Sequence, residues 1–100
     1  MARLSHRCSQ HHVTPCIDYA ALKYKQSPSV AECVAYHEST DNPYASNGSH
    51  FGEFQFDQGT WDGSPYARHS YWSARWNSLA AMWYWHLGEY SRWVTYPLCA

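Results

Sequence analysis

The sequence predicts a small α+β domain, mainly helical, with a short β flap beside one of its helices. After Ser27-Pro28, Val30, Cys33, Val34 and His37 recur at helical spacing and mark a buried stripe. Between Tyr71 and Leu87, the residues Trp72, Trp76, Leu79, Met82, Trp83 and His86 fall within one broad helical face. Between these helices, Phe51, Phe54 and Phe56 punctuate a stretch that includes Gly52, too short for more than a small flap.

The elements follow in order. Residues 1–17 read as an irregular arm, and Asp18 as the N-cap of a short helix running to about Gln26. Residues 1–27 therefore form a leading arm and short helix, and 28–100 the main domain. Ser27 caps the next helix and Pro28 takes its first position, where the missing N–H costs nothing. That helix ends near Ser39, because Asn42-Pro43 favours a turn. Glu38, four residues after Val34, lies on the border of the buried stripe. Residues 43–50, rich in Asn, Ser and Gly, form a loop. Asp57 caps a single turn to Trp61, Gly63-Ser64-Pro65 breaks it, and Gly88 stops the long helix. A turn around residues 90–94 leads to the tail.

Composition narrows the function classes. The 100 residues make one domain with a modest core. Aromatic residues supply 18% and charged residues 15%, which is neither a disordered tail nor a polyelectrolyte. A formal charge of -1 provides no basic stripe for nucleic acid or an anionic membrane. No apolar run is long enough to span a bilayer. Four cysteines in so short a chain suggest disulfides in an oxidising compartment, with three pairings possible.

Two segments carry the chemistry. His37-Glu38-Ser39-Thr40-Asp41-Asn42-Pro43-Tyr44-Ala45 reads E-S-x-x-N-P-x-A, and Gly52-Glu53-Phe54-Gln55-Phe56 reads G-x-x-Q-F, with Thr60-Trp61 beyond. From about Ser29 onward the chain resembles the lytic transglycosylases and resuscitation-promoting factors, lysozyme-like domains that cleave peptidoglycan. The closing Trp93, Pro97 and Cys99 are similar to the end of the resuscitation-promoting factors. The resemblance implies a small lysozyme-like fold with Glu38 as the catalytic acid, followed by the family's serine at Ser39. It places Gly52 and Gln55 on the cleft floor, Trp61 at the close of that segment, and Trp83 or Tyr84 against the sugar. Thr40 and Asp41 stand where many members carry glycines, and Glu53 where a small or apolar residue is usual.

Cleaving a glycosidic bond requires protonating a poor leaving oxygen while the ring gains oxocarbenium character. A carboxyl at the edge of an apolar stripe is suited to carrying that proton, which points to Glu38. Asp41, Glu53 and Asp57 are candidates for a second carboxylate. None matches a dependable second acid of the family, so the resemblance implies a single-glutamate route with a lytic transglycosylase or muramidase outcome. Gln55 offers a donor and an acceptor to an acetamido group, or bridges the loop. Ser39 is either a substrate contact or a local cap. Tyr44, Trp61 and Tyr66 stand on loops suited to stacking on sugar rings. The alternative is a non-catalytic glycan-binding or interaction module on the same fold.

Peptidoglycan glycan strands are the expected partner, the chain is expected to be a monomer, and neither metal nor cofactor is implied. Cys8-x-x-His11-His12-x-x-x-Cys16 has thiolate and imidazole ligands, but all lie within one short segment. A disulfide-closed loop or disorder is therefore preferred to zinc. His37 is read as packing or hydrogen-bonding rather than binding metal. The expected pairs are Cys33 with Cys99, tying the catalytic helix to the tail, and Cys8 with Cys16. An extracellular or cell wall-associated location is expected. Met1 to His12 lacks a hydrophobic signal core, so the chain would be a processed fragment or leave the cell by phage-type release.

Overall fold

The computed structural model describes Ala2–Ala100 and is mainly helical. Six α-helices and one 3₁₀ turn follow in order among the described residues: α1 (Ala2–Arg7), α2 (Val13–Lys23), α3 (Pro28–Ser39), α4 (Gln58–Asp62), α5 (Ala74–His86), the 3₁₀ turn Tyr90–Arg92, and α6 (Tyr96–Cys99). The helix ends bear out much of the local chemistry. Ser27 accepts a hydrogen bond from the Val30 N–H with Pro28 in the first turn of α3. Asp57 caps α4 through the Thr60 N–H, Ser73 caps α5 through the Trp76 N–H, and Gly88 at φ +82° follows the end of α5.

The leading segment departs from expectation. Residues 2–17 are not irregular, residue 1 lying outside the described residues: they hold α1 and the start of α2, and Asp18 lies inside α2 rather than capping it. Pro15 is compatible with this because it stands in the first turn, where its N–H would have had no intrahelical partner. Ile17, Ala20 and Ala21 of α2 are fully buried in the same core as Val34, Trp61, Met82 and Trp85. Arg75 of α5 fixes α1 by donating to the Ser5 carbonyl at 2.7 Å and to its hydroxyl at 3.0 Å.

Both expected disulfides are present, Cys8–Cys16 and Cys33–Cys99. The second joins α3 to α6 across a sequence separation of 66, a closure that stabilises by about 4 kcal/mol on the chain-entropy model.

Helix α5 runs through the centre, with Asn77, Ser78, Leu79, Ala80, Ala81, Met82, Tyr84 and Trp85 all buried. The expected broad face is therefore rotated: Trp85 is buried at 1% exposure, Trp83 and Trp76 are only partly buried, and Trp72 precedes the helix. The small residues Ala80 and Ala81 admit close neighbours on faces that a one-sided reading assigns to solvent. In α3 the buried stripe is Ala31, Val34 and Ala35, while His37 is exposed. Glu38 continues that stripe, at i+7, i+4 and i+3 from these residues.

The flap is a tight loop rather than a strand pair. Only isolated antiparallel bridges form there, Ser46 with Phe51 and Phe51 with Phe56. Phe51 and Phe56 exchange both backbone hydrogen bonds at 2.9 and 3.0 Å, and Gly52 N–H donates to Ala45 at 2.9 Å. The bridges do not continue into a ladder on either side of the Phe51–Phe56 pair.

Candidate active site

Glu38 sits at the last turn of α3, where the chain turns through Thr40 and Asp41 at φ +55° and +59°. Its side chain is half-buried, and the Thr95 hydroxyl donates to Oε2 at 2.6 Å. Oε1 has no hydrogen-bond partner among the described residues. One carboxyl oxygen is thus held and the other remains open.

The tail that holds Glu38 also holds the flap. Trp93, two residues before Thr95, is buried and its indole N–H donates to the Phe54 carbonyl at 2.9 Å. Trp93 then joins His50, Gln55, Phe56, Asp57, Thr60 and Arg92 in lining a surface depression. The Cys33–Cys99 bond anchors the far end of the tail to α3.

Asn77 supports this arrangement from beneath. Its carbonyl accepts the Phe54 N–H at 3.0 Å, and its amide donates to the Tyr71 carbonyl at 2.8 Å and the Phe51 carbonyl at 3.3 Å. Gly52, at φ +82°, lies against it so closely that an added Cβ would stand 2.1 Å from the Asn77 nitrogen. Sequence reading missed Asn77. The available signal was one amide inside an otherwise apolar helix, which needs partners once buried.

The other expected site residues are distributed unevenly. Gln55, at φ +52°, turns its amide inward: Nε2 donates to the Ala45 carbonyl at 3.1 Å and the Gly52 carbonyl at 2.7 Å. The loop-bridging role is the one observed, leaving only its carbonyl oxygen for the depression. Ser39 donates to the Ala35 carbonyl at 3.0 Å, a local bond within α3 rather than a substrate contact.

Trp61 does not present a face to sugar. It is 2% exposed, packs edge-on to Phe56 and donates its indole N–H to the Ala67 carbonyl. Tyr84 is 4% exposed and its hydroxyl donates to the Thr60 carbonyl at 2.6 Å, so it too is core. Trp83 is half-buried, edge-on to Tyr84 and packed on the core. Tyr66 pairs its hydroxyl with that of Tyr24. Tyr44 alone matches its expected setting: it is 61% exposed and shares a shallow apolar depression with Trp72.

The three candidates for a second carboxylate also separate. Glu53 is fully buried, and desolvation raises its pKa well above the ordinary carboxyl value. The nearby Ser78 hydroxyl opposes that in part, Asp41 adds to it, and neither Glu53 oxygen has a completed hydrogen bond. Glu53 is therefore out of reach of substrate.

Asp57 accepts the Thr60 N–H at 2.7 Å and its hydroxyl at 3.1 Å. The backbone bond is the main reason its carboxyl is held below the usual range. Asp41 remains, half-buried just beyond Glu38, with a pKa raised by burial.

Among the described residues, no helix is long and apolar enough to cross a membrane. The sequence matches no family model, and neither the curated proteins nor the solved structures contain a match to this chain.

Proposed function

We propose that this chain is a peptidoglycan-cleaving glycosidase, cutting the bond between N-acetylmuramic acid and N-acetylglucosamine with Glu38 as general acid and base. The observation that carries this reading is the state of one carboxyl group. Glu38 is half-buried at a helix end, fixed through Oε2 by Thr95 and free at Oε1. A group held that way can give a proton to a glycosidic oxygen without losing its orientation.

As the leaving sugar departs, the ring carbon gains positive charge and Glu38 becomes a carboxylate. Glu38 then takes a proton from the incoming nucleophile. If that nucleophile is the sugar's own 6-hydroxyl, the product is an anhydro end; if it is water, the product is a reducing end. With Glu53 buried and Asp57 committed to its cap, the single-glutamate route is favoured over a paired-carboxylate one. Asp41 is the remaining acid near Glu38, available to stabilise charge or position water. The peptidoglycan assignment, a location at the wall and a monomeric state rest on the E-S-x-x-N-P and G-x-x-Q-F segments.

The test is incubation of the protein with purified cell wall and mass analysis of the released fragments. Glu38→Gln should abolish release while leaving the circular dichroism and melting temperature of the parent. Turnover by that variant equal to the parent's would refute the assignment. A second reading, a wall-binding module without turnover, is favoured by the exposed Tyr44 ring and the apolar depression it shares with Trp72, which suit stacking on a sugar and need no acid. Sedimentation of the parent protein with insoluble wall, with no fragments released, is its signature.

A further inference from the structure

We propose that reduction of the Cys33–Cys99 disulfide turns the junction of α3 and the tail into a binding site for a thiophilic divalent cation such as zinc, with His37 as the third protein ligand. Cys33 and His37 are four residues apart on α3 and share a face of the helix, and Cys99 approaches from α6. One ligand atom from each, the two sulfurs and an imidazole nitrogen, lie within 4.8 Å of one another. Around tetrahedral zinc, with bonds of about 2.0–2.3 Å, such atoms stand roughly 3.5–3.8 Å apart. The sulfurs separate once their bond is broken, and the exposed His37 ring has only to swing inward by about 1 Å to meet that spacing.

The tail does not depend on the disulfide alone to stay docked. Trp93 is buried with its indole bonded to Phe54, Thr95 is bonded to Glu38, and Tyr96 packs edge-on to Trp85 with ring centroids 5.0 Å apart. Cys99, three residues past Tyr96, therefore remains beside α3 after reduction. The redox step balances with a dithiol reductant: it gives two electrons and two protons to the Cys33–Cys99 bond and itself closes to a disulfide. The cation then displaces the two thiol protons, and the fourth position of its tetrahedron is left for water. This inference does not rest on the glycosidase reading, because its readout is metal binding.

The experiment uses the full chain carrying Cys8→Ser and Cys16→Ser, kept reduced with a phosphine and titrated with Co²⁺, then with Zn²⁺ in competition. One equivalent of Co²⁺ should bring up thiolate charge-transfer and tetrahedral ligand-field absorption. The oxidised protein should show neither, and His37→Ala should weaken Zn²⁺ binding at least about tenfold. Equal binding by oxidised and reduced protein, or by the His37→Ala variant, would overturn the proposal. If the double serine variant does not fold, Cys33→Ser and Cys8→Ser are compared in the fully reduced parent chain. Loss of binding confined to Cys33→Ser supports the site; loss confined to Cys8→Ser, which assigns the metal to the Cys8, His11, His12 and Cys16 segment, refutes it, as does loss in both variants or in neither.

Discussion

Glu53 should make this domain less stable as pH rises from acid to neutral, the reverse of ordinary acid denaturation. Its side chain is fully buried with neither oxygen hydrogen-bonded, so the folded state favours the neutral acid. A carboxyl whose folded pKa lies above its unfolded value binds its proton more tightly in the native state. Its contribution is complete below the unfolded pKa, near 4.5, and is lost as pH climbs toward the folded pKa. Glu32 acts in the same direction: its contact with Asp18, then burial and the Asp18 and Asp41 charges, push it from 4.5 up to about 7.

A full shift of that size would correspond to about 3 kcal/mol, but Glu32 is only half-buried, and solvent screening reduces it to about 1 kcal/mol. For Glu53, the neutral acid already carries the cost of an unpaired buried group, and ionising it without a partner adds to that cost. Glu32 alone predicts a loss of about 1 kcal/mol between pH 4.5 and 8, a Tm lower by roughly 4–8 °C, and Glu53 adds to that loss in the same direction. Asp57, held low by its cap, loses its contribution only below about pH 4 and stays outside this window. The assay is thermal unfolding followed by circular dichroism at half-unit pH steps, on the parent, Glu53→Gln and Glu32→Gln. Glu53→Gln should remove most of the slope and Glu32→Gln about 1 kcal/mol of it. A parent Tm that is flat or rising from pH 5 to 8, or an unchanged slope in Glu53→Gln, would refute the reasoning.

Other substitutions probe the scaffold around Glu38. Asn77→Ala removes the partner of the Phe54 N–H and of two carbonyls, and should destabilise by about 2–3 kcal/mol in urea titration. Gly52→Ala introduces both a positive-φ penalty and a clash with Asn77, and should cost more than about 1 kcal/mol by the same measurement. Replacing Cys33 and Cys99 by serine should lower stability by about 2 kcal/mol more than replacing Cys8 and Cys16, because the closed loop is far longer. Thr95→Val should leave the fold intact but reduce wall cleavage, read as a fall in fragment release with unchanged sedimentation on wall.

Elements announced by local chemistry were legible in the sequence. Ser27-Pro28, Asp57 and Gly88 set helix ends through bonds and backbone conformations that belong to a few neighbouring residues. The two disulfides match the expected pairs. What the sequence concealed depends on packing from several sides. The face of α5 could not be read from its aromatics, because a helix surrounded by neighbours buries alanines, an asparagine and a serine as well. Trp61 and Tyr84 have polar tips that suit either sugar or backbone, and only the surrounding chain decides in favour of backbone. The first 17 residues read as irregular because the helical signal there is short and its support comes from Arg75 and a disulfide.

The C-terminal tail shows why the candidate site could not be assembled from its two motifs alone. Neither Glu38 nor the Gly52–Phe56 loop has a local feature that fixes it against the other. Within seven residues the tail supplies Trp93, which clamps the Phe54 carbonyl; Thr95, which orients Glu38; and Cys99, which is bonded back to α3. Burying one indole and closing one long covalent loop contribute several kcal/mol, whereas the Thr95 hydrogen bond contributes about 1–3 kcal/mol. The strong contacts therefore fix where the tail lies, and the weak one can be spent on orienting a carboxyl. A chain with Trp93→Ala should lose the flap and the Glu38 contact together, although the Trp93 indole bonds the flap and not Glu38.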